Sequence, residues 1–549
     1  MAQYSKNDIN RARQLVKELI YPERDFIRLA IVYGLAISLL TLAIPIAVQT
    51  LINTVVNIAS VSAVITLSVL LFITLGLSGV LSALRTYVME KYERHIYARL
   101  TAEISVRTLL TEHQFFSGRR NVDIPNRYFD INIFQKNLPP LLIDGFALFL
   151  QLLVGFALVS LYHPVFMAFC IALVLVLYLI WSLWARRAIG AAIELSHAKY
   201  GTAKWLGDMA AARSLFTSQR HIEYVQARTD ANTAEYISCH KTYFRYAFAQ
   251  VIAFLLLYAL ASSLLLGMGG YLVILGELSI GQLVAAELIL TAIFFGLSKA
   301  GNYLKMYYEM CGAADELGLV LNMPINEKMT LEHDKAPTHN ALDFHQLFLK
   351  QDDVSYFFDF TIASGAKTFV FTTQAWLQRE IVSVLKYYQI PEKGRIRLGE
   401  FDLSEFRDQQ LNHPPVSVIN KAPIVESTIL EFMTLSAPNK TVADIQDALF
   451  RVGLEDVVTQ LKDGLNTTLS QLGSPLQPHE FLLLKLASAL LYAPNVLVLT
   501  QYFDNLPRKQ LVRLLSTLEE ESFTVLYFTN HPEIEAFDYC LNLDWQKVT

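Results

Sequence analysis

The stretch from Asp463 to Pro507, DGLNTTLSQLGSPLQPHEFLLLKLASALLYAPNVLVLTQYFDNLP, decides how this chain is read. Its largely apolar run Phe481–Leu491 reads as a buried helix, and Val496–Leu499 as a short buried strand. Ala493-Pro494-Asn495 turns one into the other, and a polar loop carrying Asp504 follows. Helix, short turn, apolar strand and polar loop are the parts of an α/β domain.

Outward from this stretch the composition splits. The 549 residues are 53% hydrophobic with a mean hydropathy of +0.35, yet residues 331–549 have the mixed make-up of a soluble domain. The apolar excess lies in residues 26–305. A net charge of −5 argues against a basic nucleic-acid binder. Cys170, Cys239, Cys311 and Cys540 are far apart without a CxxC pair, so free thiols are expected, not a disulfide frame or metal site. The polar N-terminal arm lacks a small-residue cleavage site, and no removable signal peptide is expected.

Six segments are long and apolar enough to cross a bilayer, which takes roughly 20 helical residues. They are Leu29–Val48, Ser62–Leu84, Pro139–Leu161, Pro164–Trp184, Tyr246–Gly270 and Ile280–Ser298. The linkers after the first, third and fifth are short and contain no Lys or Arg. The N-terminal arm and the two long linkers are rich in both, which predicts that they and both termini face the cytoplasm. Residues 85–116 and 186–245 keep apolar residues at helical spacing among charges, so the membrane helices should continue well into the cytoplasm. Two carboxylates fall in or beside the spans. Asp144, just after Pro139-Pro140, reads as interfacial. Glu287 lies deeper and is a candidate cavity-lining residue, its alternative role being a helix–helix hydrogen bond.

Six helices with two long cytoplasmic hairpins ahead of an α/β domain resemble one half of an ABC exporter of the bacterial protein- and peptide-secretion kind. Leu42-Ala43-Ile44-Pro45 resembles that family's first-helix proline, and Gly276–Leu283 its turn into the sixth helix. Asn126 to Ile131 resembles the end of its first coupling segment. The resemblance therefore implies that Arg127, Tyr128, Phe129, Asp130 and Ile131, with a second tip at Leu206–Arg213, press on the soluble domains. The implied layout is an arm (1–25), a six-helix all-α transmembrane domain (26–321), a linker (322–340) and a P-loop-NTPase-like ABC domain (341–549).

In that family a phosphate-binding loop, GxxxxGK[ST], follows the second strand: glycines open the backbone, Lys brings charge and the hydroxyl holds magnesium. Strand-like segments here are Asp353–Phe358 and Thr368–Thr372, and the loop reads Thr372-Thr373-Gln374-Ala375-Trp376-Leu377-Gln378-Arg379-Glu380. No glycine remains, Gln378 stands at the Lys position and Arg379 at the hydroxyl position. The signature Leu-Ser-Gly-Gly-Gln reads Leu476-Gln477-Pro478-His479-Glu480, where Pro478 has no N–H to offer. The Asp-Glu closing the strand reads Thr500-Gln501, and an amide cannot take a proton from water near neutral pH. Asn420 stands for the family's glutamine, while His531 falls near its switch histidine. Thr441 and Asp444 open a helix that Gly453 stops.

The frame is kept where the chemistry is missing. No catalytic, cofactor-binding or metal-binding residue is assigned, and neither ATP nor magnesium is expected as cofactor. The reading is an export subunit in an inner cell membrane whose nucleotide-type domain serves dimerisation and coupling. Its implied partners are membrane lipid, a second copy or another ABC half-transporter, and a periplasmic adaptor. An ATP-driven exporter of peptides, proteins or lipids with unusual site residues is the alternative, and a non-transporting scaffold the third.

Overall fold

The computed structural model describes residues 6–41, 46–52, 61–112, 115–116, 124–325, 337–351, 354–408, 414–531, 537 and 539–548. The first-helix proline Pro45, the tip at 117–123 and much of the linker lie outside these. The chain divides into two compact units at Pro324/Ile325, with the short stretch Glu112–Ser117 grouped with the second.

In the first unit an amphipathic helix, α1 (Lys6–Ile20), buries Ala12, Leu15, Val16 and Leu19 and keeps Arg11 and Lys17 exposed. Then come α2 (Arg24–Thr41), α3 (Val61–Leu110), α4 (Ile131–Pro140), α5 (Phe146–Tyr162), α6 (Pro164–Ala211), α7 (Gln219–Ile274) and α8 (Ile280–Leu321). Among the described residues four helices are long and apolar enough to cross a membrane: Val64–Leu110, Ile124–Tyr162, Pro164–Ala211 and Gln219–Ile274. Ile280–Ile293 adds a shorter apolar one. The helices continue beyond their apolar spans as expected, since α3, α6 and α7 run for 50, 48 and 56 residues.

Local chemistry sets the starts of these helices. His163 accepts from Val165 N–H ahead of Pro164 at the first turn of α6. Ser279 and Gln282 form a reciprocal capping box on α8. Pro139 and Pro140 do not break the third span, because a π-helical turn, Leu141–Gly145, joins α4 to α5. α6 lies along α7, and α8 packs on both. At Gly312 a Cβ would meet the Ala192 carbonyl oxygen at 2.9 Å, so glycine lets α8 approach the α6 backbone.

The second unit holds two five-stranded sheets. One is antiparallel, in the order β12 (Lys547–Val548), β2 (Val354–Ile362), β1 (Leu342–Gln351), β4 (Lys393–Leu398) and β5 (Phe401–Asp402). The other is parallel, in the order β11 (Tyr539–Asn542), β3 (Lys367–Phe371), β10 (Thr524–Phe528), β9 (Val496–Leu499) and β6 (Val416–Ile419). A third, two-stranded sheet pairs β7 (Ser427–Thr428) with β8 (Thr468–Leu469). Helices α9 (Ala375–Leu385), α10 (Ile429–Ser436), α11 (Val442–Arg451), α12 (Glu455–Gln460), α13 (Pro478–Tyr492) and α14 (Arg508–Glu519) complete the unit. β9 coincides with the strand read from sequence, and all four of its residues are fully buried. The helix read as Phe481–Leu491 is α13, longer by three residues at the front and one at the back. Thr441 and Asp444 cap α11 reciprocally, and Gly453 beyond it has φ +77°.

Strand β1 was not expected. Its alternation is interrupted by a bulge, with Gln346 at φ +49° and register shifts against both neighbours, which hides the period of two. Gly394 on β4 is the partner of that bulge. Its φ is +78°, and a Cβ there would lie 2.0 Å from the Gln346 carbonyl oxygen. Gly394→Ala therefore adds left-handed strain, about 1–2 kcal/mol, to a backbone clash. A clear drop in the thermal unfolding midpoint of the full chain in detergent is expected; an unchanged midpoint would mean that the bulge relaxes freely.

Candidate functional site

Open parallel sheets bind ligands beyond the carboxyl ends of their strands. In this sheet those ends are tied by side chains of the same chain. At the end of β3 the Asp544 carboxylate accepts from Thr372 Oγ1 at 2.8 Å, Thr373 Oγ1 at 2.7 Å and Thr373 N–H at 2.9 Å. At the end of β10 Asp504 accepts from Tyr527 Oη at 2.5 Å, Thr529 Oγ1 at 2.8 Å and Asn530 N–H at 2.9 Å. At the end of β9 Thr500 Oγ1 donates to the Ile419 carbonyl of β6 at 2.7 Å. His531 donates its N–H to Thr529 Oγ1 at 3.0 Å.

The residues at the phosphate-loop position are brought together on α9. Gln378 is 8% exposed and faces a cavity of about 620 Å3, which Arg379, Asn420 and Gln501 also line. Trp376 sets its ring edge against buried Tyr356 at 5.7 Å. Lys485 donates to the Asn420 carbonyl at 2.9 Å and to that of Ala422, and burial lowers its pKa to about 8. The signature-position residues open α13. Pro478 is its first residue, and Glu480 turns back to accept from Gln477 N–H at 2.7 Å.

The expected coupling residues lie in the first unit, where they form the centre of a buried ionic cluster. Arg127 Nε is 2.6 Å from Glu316 Oε2 of α8, and its guanidinium stacks 3.9 Å above the Tyr200 ring of α6. Asp130 pairs with Lys199 of α6 at 2.5 Å, and His197 pairs with Asp315 of α8 at 2.9 Å. Burial pushes the Glu316 carboxyl above its ordinary range, opposed by Arg127 and His197, and Asp130 is raised in the same way against Lys199. The Asp315 hydrogen bond raises His197. Tyr128 Oη meets Tyr97 Oη of α3 at 2.5 Å, and Ile131 is fully buried. Phe129 alone among the five is strongly exposed, at 62%.

Glu287 accepts from Ser262 Oγ of α7 at 2.8 Å, which places it in a helix–helix hydrogen bond. Asp144 pairs with Arg85 at 2.9 Å beside a cavity of about 300 Å3 that Gln151 and Tyr303 also line. Sequence reading missed Asp544, His197, Asp315 and Glu316. An Asp-Glu pair among the apolar and small residues Cys311–Leu321 was a usable signal for the last two. Asp544 had none, because its partners lie 171 and 172 positions away.

A helical membrane unit followed by an α/β unit with this sheet order defines the ABC exporter fold. Residues 27–298 match the family described as the ABC transporter transmembrane region. Over 467 residues the chain is 22% identical to the alpha-hemolysin translocation ATP-binding protein HlyB of Escherichia coli O157:H7, covering 84% of this chain and 66% of that one. It is 21% identical over 479 residues to a toxin RTX-III translocation ATP-binding protein of Actinobacillus pleuropneumoniae, covering 85% and 66%. Leukotoxin translocation ATP-binding protein LktB of Mannheimia haemolytica is 22% identical over 443 residues, covering 79% and 61%. The chain thus spans just under two thirds of the length of these relatives. A solved bacterial Atm1-family ABC exporter with ATP bound shares the fold at a TM-score of 0.74, with 17% identity over 96% of this chain and 94% of that one.

Two outcomes follow from the geometry. Arg127→Ala leaves buried Glu316 with only His197, 3.7 Å away, and should cost about 3 kcal/mol, the lower end for a broken buried pair. Phe129→Ala should stay within about 0.5 kcal/mol, both read as thermal midpoints in detergent. For Asp544, burial raises the carboxyl, but the bonds from Thr373 and Thr372 outweigh it and hold it below the usual range. A depressed carboxyl stabilises above its unfolded value, about 3.9, and loses that contribution as pH falls through the folded one. Asp544→Ala should therefore lower the midpoint at pH 7, with the gap to wild type closing below about pH 4.

Proposed function

We propose that this chain is the membrane subunit of an ABC-type export complex whose α/β domain does not turn over ATP and serves as a dimerisation and coupling platform. The observation that carries the reading is the Asp544 carboxylate on Thr372 and Thr373, which fills with the chain's own anion the backbone position where the family would seat phosphate. Gln378 at the Lys position, Pro478 in the signature and Gln501 at the base position support it. The relatives are named for translocation of hemolysin, leukotoxin and an RTX toxin, so the cargo we propose is a polypeptide. The subunit would sit in an inner membrane with both termini cytoplasmic. It would work as a homodimer or beside another ABC half-transporter, with a periplasmic adaptor. Phe129, carried on the rigid ionic cluster, would be the contact through which partner motion reaches the helices.

The ATP-driven alternative draws on the relatives' names, each of which includes ATP binding. One assay separates the two. The full chain in nanodiscs, given magnesium and ATP, should show no turnover above an empty-disc control. A rate of about 1 s−1 or more, the lower end of ordinary enzymes, would overturn the proposal. Co-purification with a second half-transporter from native membranes would favour export over a scaffold role.

A further inference from the structure

One member of the ionic cluster around Arg127 carries a charge that depends on pH. The anions of the cluster are Asp130, Asp315 and Glu316, and its permanent cations are Arg127 and Lys199. Lys199 takes Asp130 and Arg127 takes Glu316, which leaves Asp315 to His197. Three cations meet three anions only while His197 holds a proton. We infer that His197 is a pH-sensitive latch between α6 and α8: protonated, it holds segment 124–131 firmly against both helices, and neutral, it loosens that hold. The latch works whether or not the α/β domain turns over ATP. Its consequence for coupling rests on the reading above, in which Phe129 is the contact for partner motion.

The packing of the two helices builds the position. α8 comes close to the α6 backbone at Gly312, where a Cβ would lie 2.9 Å from the Ala192 carbonyl oxygen and 3.6 Å from Ser196 Cβ. One helical turn further along α8, Asp315 and Glu316 meet the next residue of α6, His197. A single ring nitrogen, Nε2, stands 2.9 Å from Asp315 and 3.7 Å from Glu316. A neutral ring can still donate one hydrogen bond there, but only the imidazolium offsets the second carboxylate. The side chain of His197 is 44% exposed against 18% for Asp315 and 1% for Glu316, so the proton exchanges with solvent while the charges it balances are held inside. Segment 124–131 enters the same cluster through both of its charged side chains, Arg127 and Asp130.

The other groups facing His197 are more distant or more solvated. Along α6, Glu194, Lys204 and Asp208 line the same groove as His197, and α7 faces it with Arg228, Glu235 and Cys239. Lys204, Asp208, Arg228 and Glu235 are exposed, and solvent and salt screen them. Tyr200 lies beneath Arg127 and Lys199. The direction follows from the direct partners. The Asp315 hydrogen bond raises His197 above its ordinary value, 6.5, against the opposing effect of burial, and Glu316 adds to the rise. A raised group stabilises fully below its unfolded value and loses that contribution as pH rises through the folded one. The latch is therefore closed at about pH 6 and opens as the solution becomes alkaline.

The test is hydrogen exchange of peptides covering 124–131, in the full chain in lipid nanodiscs, over a series from about pH 5.5 to 9 and corrected for intrinsic exchange. In wild type the protection should fall by at least about threefold across the series. His197→Gln, which takes no proton, should hold a constant, low protection. Asp315→Asn removes the charge that raises His197, so the fall should move to lower pH. His240→Gln, at an exposed position of α7 outside the cluster, should follow wild type. A histidine that only fills space would lower protection in His197→Gln by the same factor at every pH, and that result overturns the inference. A wild type without pH dependence overturns it too, as does an Asp315→Asn chain whose fall stays where wild type has it. Neither ATP nor cargo enters this assay, so its failure is distinct from failure of the proposed function, which the turnover measurement decides.

Discussion

The hydrogen bonds from Thr372 and Thr373 to Asp544 close the end of β3 with a carboxylate of the same chain. A strand that ends in a loop leaves backbone N–H groups that must find acceptors. Beyond β3 the acceptor is Asp544, beyond β10 it is Asp504, and ahead of α13 it is Glu480. Each carboxylate belongs to the same chain. The ends of β3 and β10 are thus closed by carboxylates of the chain itself.

The membrane unit follows a parallel logic where segment 124–131 meets α6 and α8. Arg127 and Lys199 are matched by Asp130, Asp315 and Glu316, with His197 among them, and Asp130 and Glu316 are almost fully buried. Buried charge is tolerated only when every member has a partner, so such a cluster fixes geometry more than it adds stability. The segment 124–131 is thereby tied to α6 and α8 at once. It leaves Phe129 facing outward, 62% exposed.

What the sequence disclosed and what it hid divide along one physical line. Apolar runs are local signals. Val496–Leu499 gave a strand to the residue, the two charged extensions gave α3, α6 and α7, and Thr441 with Asp444 gave the start of α11. β1 was hidden because its bulge breaks the alternation that marks a half-buried strand. The π turn after Pro140 was hidden because proline normally signals a helix end. At the sites, the glycine-free run Thr372–Glu380 and the strand-end pair Thr500-Gln501 were readable because they are short contiguous stretches. Asp544 on Thr373, His197 on Asp315 and Arg127 on Glu316 join residues 171, 118 and 189 positions apart, and only tertiary structure brings them together.

The same line explains how a fold of this kind can outlast a change in its loops. One apolar cluster of α11, α13 and α14 covers one face of the parallel sheet. Another, of α9 with β1, β2 and β4, covers the other face. β9 alternates between the two, Leu497 and Leu499 to the first and Val496 and Val498 to the second. Of the residues at the phosphate-loop, signature and strand-end positions, Leu377 and Leu476 belong to these clusters. Thr373 and Arg379 are exposed and Gln501 is half-buried, so substitution at these three leaves the hydrophobic term of the core largely untouched. With Asp544 and Glu480 supplying acceptors to the Thr373 and Gln477 amides, the domain keeps its shape around these two apolar clusters.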